Sequence, residues 1–213
     1  MIVLGIDPGT ANTGFGVVQR RGSRLVALDG GVITTRPEAP PQIRLANIHR
    51  RVSELLDEHK VSVLSMEDVY FGRNVSSALA VGQARGVVML AAGQRRLPCV
   101  SYTPQQIKYA VCGAGRAEKD QVGRMVQMLL SLESPPRPDH AADALAIAIC
   151  HLNGAPHAAA VAESMMVPEQ ADEEIQVFRN DGSRGPVAGS GDEGRRGPIT
   201  GTGDLPATSP PDE

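Results

Sequence analysis

Apolar positions in residues 1–154 alternate between a period of two and a period near 3.6, and the switches mark out an ordered set of elements. The first, Ile2–Asp7, is an apolar run carrying a single carboxylate before it breaks at Pro8-Gly9. A half-exposed strand would alternate, so this run predicts a strand buried on both faces. Gly14–Arg20 and Leu25–Thr35 follow as strands, separated by an Arg21-Gly22-Ser23 turn. Such short connections predict antiparallel neighbours. Arg36–Pro41 ends this meander.

Ile43–His59 then places Ile43, Leu45, Ile48, Val52, Leu55 and Leu56 on one helical stripe. Val61–Val69 predicts a fourth strand with Glu67 near its end. After a Tyr70–Arg73 loop, Asn74 is an expected N-cap for a long helix, Val75–Arg96, rich in Ala and Gly. Pro98–Tyr102 predicts a fifth strand, and Thr103-Pro104 starts a helix running to about Ala110. Glu118–Leu132 and Asp139–Leu152 are the last two helices, the second stopped by Asn153-Gly154. Strands mostly followed by helices, after an initial meander, imply an α/β domain with a mixed sheet.

Composition divides the chain at the same place. Residues 1–154 hold 17 Lys and Arg against 13 Asp and Glu, a net charge of +4, whereas residues 155–213 carry −7. The basic front suits contact with a polyanion. In residues 155–213, 15 of 59 positions are Gly or Pro and large apolar side chains are sparse, so this acidic tail is expected to be disordered. Cys99, Cys112 and Cys150 show neither a C-x-x-C pair nor zinc spacing, which implies reduced thiols and core packing. No stretch approaches about 18 apolar residues and no leader precedes the first strand. A cytoplasmic protein with no membrane contact is therefore expected.

Three places carry candidate chemistry. Asp7 ends the first strand, Glu67 ends the fourth, and Asp139, His140 and Asp143 open the last helix. Carboxyl ends of parallel strands converge on one crevice. If strands one and four are parallel neighbours, Asp7 and Glu67 lie side by side. His140 and Asp143, three apart, share a helix face. Like charges gathered in this way repel unless a cation sits between them. Oxygen donors without thiolates point to magnesium or manganese. Two such ions about 4 Å apart are a common device for phosphodiester hydrolysis. Each residue also has an ordinary explanation: Asp7 in a turn, Asp139 as an N-cap, His140 on a helix surface. Asp143, within an otherwise apolar stretch, is the hardest to explain so.

The segments GIDPGT (5–10), TGFGVV (13–18), MEDVYFGRN (66–74), SALAVGQARGV (77–87), AEKDQV (117–122) and DHAADALAIAI (139–149) together resemble the RuvC family of Holliday-junction resolvases, in order and spacing. The resemblance covers residues 1–152 and implies a ribonuclease-H-like fold. That is a mixed five-stranded sheet flanked by helices, a nuclease domain at 1–154, with the tail at 155–213 outside it. It implies a homodimeric endonuclease that resolves four-way DNA junctions by paired symmetric nicks in recombination and repair. It also implies two Mg2+ ions per site, with Mn2+ able to substitute, and work alongside a branch-migration complex of RuvA and RuvB.

Carried over by residue, the catalytic and metal-binding set is Asp7, Glu67, His140 and Asp143. Many members place Asp where this chain has His140, so the fourth corner is open: His140 as a ligand or a general base, with Asp139, pointing roughly 100° away round the helix, as the fallback. Tyr70 takes the position of an aromatic wedge at the junction centre, and Phe71 beside it is the other candidate. Arg73, Asn74, Lys108, Arg116 and Lys119 are implied DNA contacts. The helix bearing Gly82, Gln83 and Gly86 matches the dimer interface.

Three other readings fit parts of the pattern. GIDPGT also resembles the phosphate loop of actin-like ATPases and sugar kinases, but those need two such domains and further nucleotide motifs. A catalytically idle ribonuclease-H-like scaffold would be expected to lack the acidic set. A ribonuclease-H-like nuclease acting on another nucleic acid would need neither the aromatic loop nor the dimer helix.

Overall fold

The computed structural model describes residues 1–68 and 75–154, with backbone only at 75–77. Tyr70, Phe71, Arg73, Asn74 and the tail at 155–213 lie outside the described residues. Five strands form one sheet: β1 (Ile2–Asp7), β2 (Asn12–Arg21), β3 (Arg24–Thr34), β4 (Val63–Glu67) and β5 (Cys99–Tyr102). Their order is β3-β2-β1-β4-β5. β1 pairs with β2 and β2 with β3 in antiparallel fashion, whereas β1–β4 and β4–β5 are parallel. The sheet is mixed, as the pattern predicts, and five-stranded, as the resemblance implies, and β1 at its centre is buried on both faces.

Five helices cover the two faces: α1 (Pro41–Glu58), α2 (Val75–Gly93), α3 (Pro104–Cys112), α4 (Lys119–Leu130) and α5 (Asp139–Asn153). Strand alternation sends successive side chains to opposite sides. Leu4, Ile6, Val17, Leu64 and Met66 pack with Ile48, Val52 and Leu55 of α1 and Ala84 and Val88 of α2. Val3, Val18, Val63 and Val100 pack with Val111 of α3, Val126 of α4 and Leu145 and Ile149 of α5. Asp7 and Glu67 share the parity of Val3 and Val63, so they belong to the second face.

Local chemistry explains several boundaries. α1 starts two residues earlier than expected because Pro41, with φ already fixed, takes its first turn. α3 begins with a full capping box: Gln106 N donates to Thr103 Oγ1 and Thr103 N donates to Gln106 Oε1. The long helix stops at Gly93 rather than Arg96, and strand β4 is shorter at both ends than the apolar run suggests. Asp139 is not the N-cap of α5. Pro138 holds that place, and Asp139 is the first helical residue.

α5 lies unusually close to the sheet. A Cβ on Gly5 would stand 2.1 Å from the Ala144 carbonyl oxygen, and one on Gly14 would stand 2.0 Å from that of His140. A Cβ on Gly16 would meet Leu145 at 2.8 Å. Gly5 and Gly16 face each other across the β1–β2 ladder, and Gly14 faces Asp7. These glycines form a groove that receives the helix backbone.

Substituting a groove glycine is expected to push α5 off the sheet. Gly14→Ala should lower stability by at least ~3 kcal/mol, read in thermal unfolding as a Tm lower by about 6–12 °C. Gly123→Ala in α4, where a Cβ meets nothing within 4 Å, should instead raise stability by ~0.5–1 kcal/mol. Equal effects at the two positions would refute the groove.

Candidate active site

β1 and β4 run in parallel register up to the Ile6–Met66 pair. Asp7 and Glu67 are the next residue on each strand, so their side chains emerge side by side at the carboxyl end of the sheet. The turn after Asp7 is held by its own neighbours. Thr13 Oγ1 donates to the Gly9 carbonyl at 2.6 Å, and Thr35 Oγ1 to the Thr10 carbonyl at 2.6 Å. Arg44 Nε donates in turn to Thr35 Oγ1 at 2.8 Å.

The glycine groove brings the first turn of α5 over these strand ends. His140 Nδ1 stands 2.7 Å from Asp7 Oδ2. A carboxylate only accepts, so Nδ1 carries the proton and the Nε2 lone pair of a neutral ring is left free. Asp143, one helical turn on, interacts electrostatically with both Asp7 and Glu67. Burial raises the Glu67 carboxyl above its ordinary range, and the charges of Asp7 and Asp143 push it further, against Lys108. Burial likewise raises Asp143, with Asp7 adding to the shift and Lys119 opposing it. Two carboxyls destabilised by burial and by each other are a state that a cation relieves.

Lys119, from the start of α4, stands 3.4 Å from Asp143 and 3.2 Å from Asp139. Burial works against its charge, but these two carboxylates carry the ammonium above its ordinary range. Lys108, Lys119, Glu67 and Asp143 line one cleft of about 230 Å³ between α3, α4 and α5. Arg116 is exposed in the loop between α3 and α4, away from these contacts.

The sequence-derived set thus falls into groups. Asp7, Glu67, His140 and Asp143 converge from three distant segments, and Lys108 and Lys119 flank them. Asp139 faces Lys119 rather than Asp7. Tyr70, Phe71, Arg73 and Asn74 lie outside the described residues. Among the described residues, no three His, Cys, Asp or Glu side chains already stand as a cage for a metal ion. Asp7 is engaged by His140 and Asp143 by Lys119. Both partners are mobile in principle, since the His140 and Lys119 side chains are 45% and 59% exposed. The donor set of three carboxylates and an imidazole is chemically suited to a hard divalent cation.

One participant escaped the sequence reading. Arg85 is the only charged residue in α2, and it reaches the end of β4. A lone cation in a helix of small and apolar residues is a signal that could have singled it out.

Comparison with known proteins accords with this geometry. The family model described as "Crossover junction endodeoxyribonuclease RuvC" matches residues 3–151. The protein of that name from Moorella thermoacetica is 49% identical over 156 residues, covering 73% of this chain and 93% of the relative. The structure of Thermus thermophilus RuvC superposes with a TM-score of 0.69 at 40% identity, covering 74% of this chain and 97% of that one. The T. thermophilus RuvC complex with a Holliday junction substrate gives 0.68 at 38% identity, covering 74% and 96%. No described helix is long and apolar enough to cross a membrane. By sequence, length and fold, the chain belongs to the RuvC family of crossover junction endodeoxyribonucleases.

Proposed function

We propose that Asp7, Glu67, His140 and Asp143 are the hydrolytic centre with which this protein nicks four-way DNA junctions. The observation that carries the reading is their convergence: two strand ends and one helix turn, far apart in sequence, bring four ligand-type side chains together at the carboxyl end of the sheet. Family membership supplies the substrate. The three carboxylates and His140 Nε2 would hold divalent cations, Mg2+ or Mn2+, two to a site. Bound there, the cations would supply charge neutralisation at the scissile phosphate and a more acidic water.

The remaining work falls to the chain. Asp7 orients His140 through Nδ1, which leaves Nε2 to accept a proton from attacking water or to ligate. Glu67 and Asp143, costly as free anions, are poised to bind cations. Lys119 neutralises Asp143 and Asp139 until those charges are otherwise balanced, and its ammonium then faces phosphate. Lys108, in the same cleft, and Arg116, in the adjoining loop, extend the positive surface along the DNA backbone. Tyr70 or Phe71 would stack on an unpaired base at the junction centre, with Arg73 and Asn74 beside them.

The reading includes a homodimer through α2. Leu79, Gly82, Gly86, Met89 and Leu90 share one stripe of that helix. Leu79, Met89 and Leu90 are 63%, 47% and 52% exposed, and a Cβ on Gly82 or Gly86 would meet nothing within 4 Å. An apolar stripe with small residues suits a second copy of the same helix. Two such centres related by a twofold axis account for paired, symmetric nicks. Delivery of junctions by RuvA and RuvB rests on family membership alone.

Cleavage of a synthetic four-way junction in Mg2+ or Mn2+ tests the centre directly. Asp7→Asn should lower the rate by ~10³-fold or more, about 4 kcal/mol of barrier. His140→Asp should keep activity, because either side chain ligates a cation and accepts a proton. Wild-type cutting by Asp7→Asn would refute the assignment.

Stability offers a second readout. The raised Glu67 and Asp143 carboxyls make folding less favourable as pH climbs through and above the ordinary carboxylate range. At pH 7.5 in chelator, Glu67→Gln should therefore melt a few degrees higher than the parent, with the gain shrinking toward pH 4. Added Mn2+ should raise the Tm of the parent more than that of the variant. A variant that melts lower at pH 7.5 would contradict the electrostatic account.

For the dimer, Leu90→Glu should convert a micromolar dimer into a monomer in size-exclusion chromatography with light scattering. A parent that elutes as a monomer would remove the interface.

A further inference from the structure

Arg85 has a set of contacts that neither packing nor DNA binding requires. Its side chain is only 19% exposed, although it sits in a helix with no other charge. Nη1 donates to the Glu67 main-chain carbonyl at 2.6 Å. Nη2 donates to Ser101 Oγ on β5 and stands 3.5 Å from Asp68 Oδ1. The guanidinium thus spans the carboxyl ends of β4 and β5. Ser101 has the same parity as Cys99, which packs on the α1 and α2 side. Arg85 therefore grips the strand from the face opposite that on which the Glu67 carboxylate emerges.

Glu67 stands at the end of the β4–β5 ladder and one residue past the β1–β4 ladder. The β1–β4 ladder ends one residue earlier, at Ile6 and Met66. The β4–β5 ladder ends at Glu67 and Tyr102, and a backbone bond beyond it joins Asp68 N to the Tyr102 carbonyl at 2.8 Å. Holding the Glu67 carbonyl restricts the peptide plane that follows Glu67, and with it the direction in which the side chain leaves the backbone. A planar fork reaching a carbonyl, a hydroxyl and a carboxylate at once suits this task; a lysine ammonium does not reproduce it.

We infer that Arg85 is a positioning residue for Glu67: its guanidinium ties α2 to the ends of β4 and β5 and so aims the Glu67 carboxylate at the site of the divalent cation. The assignment rests on the proposed role of Glu67 in metal binding. Arg85 touches neither DNA nor metal in this role and acts only through the strand that bears Glu67.

The test is Mn2+ binding by the DNA-free, full-length protein, followed by titration calorimetry or by electron paramagnetic resonance of the free ion. Arg85→Met should weaken Mn2+ binding by ~10–100-fold, the usual effect of removing a group that orients a metal ligand. Arg85→Lys and Ser101→Ala should weaken it by less, and both keep the packing of α2 if Arg85→Met fails to fold. Junction affinity in chelator should match that of the parent for all three. Mn2+ affinity in Arg85→Lys and Ser101→Ala equal to the parent's, even with a lowered Tm, would make Arg85 a packing contact and overturn the inference. A loss confined to junction affinity would overturn it too, in favour of DNA contact. Glu67→Gln, measured alongside, isolates the underlying reading. Unchanged Mn2+ binding in that variant would remove Glu67 from the metal site, and the ground of the inference with it.

Discussion

Helix α5 meets the sheet backbone against backbone, and the active-site end of the molecule depends on that contact. Gly5, Gly14 and Gly16 put no side chain of their own where the helix crosses the central strands. Side chains at these positions would hold the first turn of α5 away from the strand ends. With the groove, His140 comes within 2.7 Å of Asp7. The same contact buries the helix almost completely, from Ala141 to Leu152. Packing and the gathering of the candidate site residues thus share one device, and the glycines serve both.

The charges gathered at that end work against the fold that gathers them. Glu67 and Asp143 are raised by burial and by their acidic neighbours, so each ionised carboxylate is held at a cost. Lys119 and His140 offset part of it from exposed positions, where side chains turn without disturbing the core. Functional sites commonly retain such local conflict, because the group that relieves it is the one the site is built to bind. A histidine in place of a fourth carboxylate lowers the concentration of negative charge at that corner.

Much of this was legible in the chain. The continuous apolar run at Ile2–Asp7 and the helical stripe of α1 are strong patterns, and the structure follows them. Boundaries were less legible, since the ends of elements depend on partners elsewhere. β4 is shorter than its apolar run because pairing with β1 and β5 ends where those strands end. Asp139 has the composition of an N-cap, yet Pro138 takes that place and Asp139 pairs with Lys119. Arg85 was passed over because its partners are a main-chain carbonyl and a hydroxyl, which carry no sequence signature.

The sequence by itself determined the elements, the mixed α/β class, the family and the residue types that carry chemistry, because periodicity and motif spacing are local properties. Only the tertiary structure decided which of those residues meet. Asp7, Glu67, His140 and Asp143 lie on three elements, and their meeting depends on the β1–β4 register and on how closely α5 approaches the sheet. It also separated Asp139 from His140: both open the same helix, but the one turned toward the sheet reaches Asp7 and the other reaches Lys119. Distances of this kind arise from packing across the fold, which no stretch of chain specifies alone.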